Sequence, residues 1–359
     1  MTSQVERSRF SVPALRGFVT RAMTASGVGE EDAALVAEVL TASDIRGIES
    51  HGVARLETFN VDRLLDGTID ARAVATTIRE TPTLLAVDAQ NGLGHPAAVR
   101  TMRRTIAKAA ENGCAIATVR RSNHFGIAGY YAMLALEHDM IGIASTNSAG
   151  LAAPTFGRSL MLGTNPLAYA IPAEGGDSFV LDMATTTVAL GKLEIARRLG
   201  KPLKPGWAID AQGKETTDPV AGMSGALLPL GGYGTENGGH KGYGLGLLVD
   251  ILCGVLGGGA FGPDLHRTGG LLDPAIVSHF FAAIRIDGFR DPAQFKADVS
   301  RELRAMRESA VIPGAAGVVT AGDPEARKTE EAYALGVALD PVVVASLGRV
   351  AEKLNIPGP

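Results

Sequence analysis

The chain has 359 residues, 46% of them hydrophobic and 20% charged, with a formal net charge of −4; this is the make-up of an ordinary globular protein with room for about two domains. No basic block is present, which speaks against nucleic acid or an anionic membrane as a partner. The two cysteines, Cys114 and Cys253, sit in apolar runs without metal spacing, so a disulfide framework is excluded and a reducing, cytoplasmic compartment fits.

The first 15 residues lack the apolar core of a secretory signal. Ser11 is placed to cap a helix that runs to Gly27. A second helix over 30–47 sets Leu35, Val36, Val39 and Leu40 on one stripe and opens with acidic residues. A third helix is expected over 51–67. From residue 83 the pattern changes. Residues 83–90 read as a strand and 95–112 as a helix stopped by Gly113. A strand over 114–119, a helix over 126–139 and a strand over 140–146 follow. Residues 179–185 read as a strand and 186–200 as a helix. A helix over 241–258 precedes a strand over 279–288. Asp250 and many glycines make 244–262 a buried helix and its loop rather than a membrane span. The tail is helical over 292–309 and 340–354. The fold class expected is α/β (α+β): a sheet domain over 78–290, and a helical domain built from both chain ends, 1–77 and 291–359.

Several stretches carry chemistry. Gly92, Gly94 and Ala97 match G-x-G-x-x-A between a strand and a helix, the context of a dinucleotide fingerprint. The acid that should end the next strand is missing, because that strand runs into Arg120 and Arg121. A glycine turn packed on its neighbours is the better reading. Asn123 and His124 follow the same strand, at the end where α/β sheets bind ligands. In "SHGVARL", His51 and Arg55 stand four apart; on a helix they share a face. Arginine binds a carboxylate through a planar fork, and an imidazole moves protons near neutral pH. The bland reading is a solvated face. Asp182 ends the apolar strand "SFVLDM", where an acid either orients a histidine or caps the next helix. "GGHKGYGLG" opens a helix whose N–H groups, with Lys241, suit phosphate, although it is no Walker A. The seven histidines are scattered and form no metal motif, so no metal is expected. No nucleophile elbow is present.

Taken together, "SHGVARL", "SNHFGIAGYY", "GTNPLAYAIP", "LDMATT", "ALGK" and "GGHKGYGLGLLVDIL", in that order over roughly residues 10–345, resemble the malate/L-lactate dehydrogenase family that has the sulfolactate-dehydrogenase-like fold. The resemblance implies a mixed-sheet, non-Rossmann domain for NAD or NADP. It implies hydride transfer between that cofactor and a small 2-oxo or 2-hydroxy acid carboxylate, in a homodimer. His51 looks like the proton donor and acceptor, with His124 as a second candidate, and Asp182 like the acid that partners a histidine. Arg55 looks like the carboxylate anchor, with Ser50 and Asn123 beside it. Asn165, Asp182, Met183, Ala184, Thr185, His240, Lys241 and Asp323 fall on the cofactor side. One departure stands out. The family commonly has a Pro-Gly-Glu near its C-terminal end, but here Pro313-Gly314 is followed by Ala315, and a similar Gly322-Asp323-Pro324-Glu325 comes later. This reads as an insertion that passes the role to Asp323 or nearby. Arg120 and Arg121 either meet a 2′-phosphate or form a solvated charge pair. Two other readings stand beside this one: a reductase of cyclic imino acids of the piperideine-2-carboxylate type, and a nucleotide-binding protein without catalysis. The intact His51, Arg55, His124 and Asp182 argue against the latter.

Overall fold

The computed structural model describes residues 7–265, 267–268, 271–274 and 276–359. Seven strands form the central sheet: β1 (Thr76–Glu80), β2 (Leu84–Asp88), β3 (Cys114–Ser122), β4 (Met140–Thr146), β5 (Leu167–Ile171), β6 (Phe179–Met183) and β7 (Val277–Arg285), in the order β1-β2-β3-β7-β4-β5-β6. Only β2 and β3 run parallel; every other neighbouring pair is antiparallel. A doubly wound sheet is parallel throughout its core, so this mixed sheet is of a different kind, as the sequence leads one to expect. The single parallel pair needs a crossover, and the helix Gly94–Asn112 supplies it. Its register pairs Asp88 with Arg120. The turn after β2 and the loop after β3 therefore emerge side by side, and that placement puts His95 next to His124.

Leu85, Val87, Ala117, Val119 and Phe281 from the sheet pack with Met102, Ile106 and Tyr131 from the helices above it. A second core draws on both chain ends. Leu15, Phe18, Val36, Leu40 and Leu56 meet Leu347 and Val350, and the strand Ser8–Phe10 pairs with Val337–Leu339. Glu57 ties the C-terminal helix Pro341–Leu354 to this body, accepting from Arg349 Nε at 3.0 Å and Ser346 Oγ at 2.6 Å. The helix Pro292–Arg307 instead serves the sheet side: Ser300 Oγ accepts the Glu174 N–H at 2.9 Å, and Lys296 pairs with Asp139 at 2.8 Å.

Several elements differ from expectation, among them the helix expected over 51–67, which breaks into short turns and a last short helix. The helix expected over 126–139 is only Ala128–Met133 with a 3-10 turn after it. Strand β4 approaches so closely that a Cβ on Gly142 would lie 2.0 Å from Ala132 O, and the chain turns at Asp139, with φ +53°. Strand β1 is exposed along its whole length, so it carries no alternating pattern to read. The region read as an insertion, 313–325, is irregular up to Gly322 and then enters a helix, Asp323–Leu335, that the sequence did not suggest. Among the described residues no helix is long and apolar enough to cross a membrane.

Candidate active site

His51 and Arg55 do not share a helix face. Glu49–His51 and Val53–Arg55 are separate 3-10 turns, with Gly52 between them at φ −89°, ψ −145°, outside the helical region. The cause is Asp44, buried near the end of helix Glu30–Ile45. Its carboxyl group takes the Val53 N–H at 2.8 Å and fills the space beside Gly52, where a Cβ would sit 2.1 Å from Oδ1. The turn then closes on itself. Arg55 Nε donates to Ser50 O at 2.6 Å, and its guanidinium lies over the Phe59 ring at 5.0 Å. The exposed Ser50 hydroxyl is 2.8 Å from His51 Nδ1.

The loop after β3 brings up the second histidine. A Cβ on Gly94 would lie 2.2 Å from Asn123 O. The apparent dinucleotide glycines thus serve close packing of the helix start against this loop, as the bland reading holds. Asn123 is buried and ties the same turn, donating to Gly92 O at 2.9 Å and Asn91 Oδ1 at 3.1 Å. His124 stacks on His51 with ring centroids 5.6 Å apart and tilts against Phe59 at 5.1 Å. The edge-on neighbour is His95 at 6.2 Å, which is fully buried with neither ring nitrogen bonded. Below lies His279, hydrogen-bonded to Thr146 Oγ1 at 2.9 Å and Ser122 Oγ at 2.8 Å. His279 stands in no motif and His95 is only a variable position of the Gly92–Ala97 glycine pattern; the fold brings both to the site.

Burial sets the charges. It holds His51 down to about 4, aided by the positive Arg55. It lowers His95 and His279 to about 3 and His124 well below the ordinary histidine value. All four are neutral at pH 7. Arg55 is half-buried and makes no ion pair among the described residues, although Glu194 attracts it from farther away. Asp182 Oδ2 accepts the Gly129 N–H at 2.8 Å, and no hydrogen bond joins it to either histidine. Burial raises its carboxyl to about 6, with Arg46 opposing and Glu325 adding to the rise. Glu325 comes close because the Val180 N–H donates to Ala321 O at 3.1 Å, laying the Gly322–Glu325 segment along β6. Asp323 turns the other way, to Arg307 at 2.7 Å and Thr320 N at 2.8 Å.

The residues expected on the cofactor side fall into two sets. Asn165 and Thr185 are buried staples. Asn165 accepts from Ser148 N at 3.1 Å and donates to Gly246 O at 3.0 Å, and Thr185 Oγ1 donates to Thr164 O and Asn165 O. They fasten helix Gly239–Asp250 to the end of β6. Met183 and Ala184 are half-buried, while His240 and Lys241 are exposed on the first turn of that helix. Lys241, Thr235, Asn237 and Gly238 line a hollow of about 380 Å³. A helix start with a lysine beside a hollow of this kind fits the pyrophosphate of a dinucleotide. Arg120 and Arg121 both meet Asp88 Oδ2, at 3.1 and 3.5 Å, which is the charge-pair arrangement. Among the described residues no group of three or more histidine, cysteine, aspartate or glutamate side chains could hold a metal ion.

Asp44 has a consequence for pH. Burial raises its carboxyl from 3.8 to about 8, so the folded state holds a proton that the unfolded chain releases, and stability falls as pH rises through that window. The four depressed histidines act in the opposite direction, adding stability up to their unfolded value of 6.5. Asp44 therefore acts alone among these groups between pH 6.5 and 8, and the melting temperature should decline there. Asp44→Asn should remove that decline in thermal scans from pH 5 to 9; an equally steep decline in the variant would contradict the assignment.

Comparison with known proteins gives a consistent set of relatives. Residues 10–348 match the family model described as malate/L-lactate dehydrogenase. A malate dehydrogenase of Pyrococcus horikoshii is 41% identical over 99% of this chain and 98% of its own. A solved malate dehydrogenase structure from the same organism has a TM-score of 0.89 at 39% identity and covers 100% of this chain and 99% of that one. The L-sulfolactate dehydrogenase of Methanothermobacter thermautotrophicus is 36% identical over 93% of this chain and 94% of its own. A delta1-piperideine-2-carboxylate reductase structure from Pseudomonas syringae is a more distant likeness, at 28% identity and a TM-score of 0.81 over 96% and 99% of the two chains. Names with NAD(+) and names with NADP(+) both occur among the relatives. The chain belongs to the malate/L-lactate dehydrogenase family.

Proposed function

We propose that this protein oxidises small 2-hydroxy acids with a nicotinamide dinucleotide, and that malate is the first substrate to test. The observation that carries the reading is Arg55, a half-buried cation without an ion pair among the described residues, beside two uncharged imidazoles. A cation in that setting is costly until a partner arrives, and a substrate carboxylate matches the guanidinium fork. A bound nicotinamide would supply the acceptor for the C2 hydride. The chain's own residues do the rest. Arg55 anchors the carboxylate and an imidazole takes the hydroxyl proton. Asp182 couples to Arg46 and Glu325 rather than to either histidine, and it holds the first turn of helix Ala128–Met133 through the Gly129 N–H. Met183, Ala184, His240 and Lys241 face the dinucleotide, while Asn165 and Thr185 hold the helix that presents it. Asp323 serves by fixing the Gly322–Glu325 turn through Arg307. The malate choice rests on the 41% identity to a protein of that name.

The test is absorbance at 340 nm with NAD or NADP and each of malate, lactate and sulfolactate. Malate-dependent reduction is expected, and comparing the coenzymes decides between them. Silence with all three acids, or oxidation of NADH or NADPH by piperideine-2-carboxylate alone, would overturn the reading.

We also propose a homodimer. Leu247, Leu248, Ile251, Val255 and Leu256 are exposed along one helical stretch, and such a face on a folded protein signals a partner surface. Ile251→Asp should shift sedimentation from dimer to monomer; an unchanged dimer would place the interface elsewhere. The division into 1–77, 78–290 and 291–359 is likewise a proposal, supported by the two separate cores, with helix Pro292–Arg307 bonded to the sheet side. The two free cysteines, one exposed and one buried, support placement in the cytoplasm.

A further inference from the structure

His51 and His124 differ in what meets their Nδ1 atoms, and we propose that this divides the chemistry between them: His124 presents a fixed Nε2–H to the substrate oxygen, and His51 takes the proton. The proposal rests on the hydroxy acid reading above. The backbone N–H of Gly126 donates to His124 Nδ1 at 3.3 Å. A backbone N–H cannot accept, so Nδ1 carries the lone pair and the proton of the neutral ring sits on Nε2. Gly126 is held in place: its φ is +82°, and Val39 Cγ1 lies 2.8 Å from where a Cβ would be. In this form His124 has no lone pair at Nε2 to receive a proton. It is a donor, suited to an oxygen that gains negative charge as its proton leaves.

His51 is tied differently. Its Nδ1 lies 2.8 Å from Ser50 Oγ, and a hydroxyl accepts as readily as it donates. Ser50 is exposed, so its own O–H can point to water while it accepts Nδ1–H, leaving a lone pair on His51 Nε2. The substrate hydroxyl proton moves to that nitrogen. The electron pair of the broken O–H bond forms the C=O bond, and the C2 hydrogen leaves with its own pair to the nicotinamide. His51 ends as an imidazolium.

The surroundings favour this assignment. His51, His95, His279 and Arg55 all face His124, and each is neutral or positive. Beyond burial, His51 feels the charge of Arg55, which a bound carboxylate neutralises. Substrate binding therefore readies His51 for a proton and leaves His124 as the donor.

Long-range 1H–15N correlation spectra of the 15N-histidine-labelled resting enzyme read the tautomers directly, with His124→Gln and His51→Gln spectra giving the assignments. His124 should show a bare Nδ1 and a protonated Nε2. In kcat/KM against pH for malate oxidation, His51→Gln should abolish the rising limb and lower kcat by roughly 10²–10⁴-fold. His124→Leu should lower kcat by about 10²–10³-fold with the limb in place, and His124→Gln, whose amide still donates, should recover part of that loss. A protonated His124 Nδ1, or a limb lost in His124→Gln and kept in His51→Gln, would overturn the division. A wild-type enzyme that turns over no hydroxy acid would refute the functional reading instead, and the spectra would still decide the tautomers.

Discussion

Alanine at position 52 should lower kcat/KM by roughly 10²-fold, the scale that misplacing reacting groups by about 1 Å produces. The added Cβ would fall 2.1 Å from Asp44 Oδ1, so either the buried carboxyl group moves or the Ser50–Arg55 turn does. If Asp44 moves, the Val53 N–H loses its acceptor; if the turn moves, His51 leaves its stack on His124. Overpacking and a lost buried hydrogen bond each cost about 1–3 kcal/mol, so thermal unfolding should also come earlier. Asp44→Ala beside Gly52→Ala relieves the clash, and the double variant should lose less stability than the two singles summed. Additive losses would mean that residues 44 and 52 do not share this space.

Arg55→Met should separate function from stability. Charge-assisted hydrogen bonds are worth about 1.5–3 kcal/mol, which is roughly a 10–100-fold rise in the KM for malate, with a smaller change in kcat. Stability should hold or rise, since an apolar side chain replaces a half-buried cation that has no ion pair. An unchanged KM would remove Arg55 from the substrate, and a large loss of stability would make it a structural residue.

Much of this fold is legible in the sequence because its elements carry local signals. Ser11 caps its helix through Ala14 N at 3.3 Å, Gly113 stops the crossover helix at φ +88°, and Leu35, Val36, Val39 and Leu40 are all buried. Where the signals are not local, the reading stops short. The spacing of His51 and Arg55 suggests a helix face, yet what joins them is a turn shaped by Asp44 from another element. The strand order, with β7 inserted between β3 and β4, depends on a pairing more than a hundred residues apart in the chain. His95 and His279 enter the site from a helix start and a central strand that look like packing in the sequence, and Glu325 faces Asp182 where the sequence draws attention to Asp323. The site's chemical groups were visible because carboxylate binding and proton transfer require particular side chains. Their supports were not, because burial and close approach can be met by many residues.

The proposed reaction turns on hydride removal from C2 of a 2-hydroxy acid held on Arg55. The most direct measurement follows NAD or NADP reduction by [2-2H]malate and locates the deuterium by NMR. Reduction should proceed with a primary isotope effect, and the label should appear on the reduced nicotinamide ring. Reduction with the label still on malate carbon, or washed into water, would contradict it.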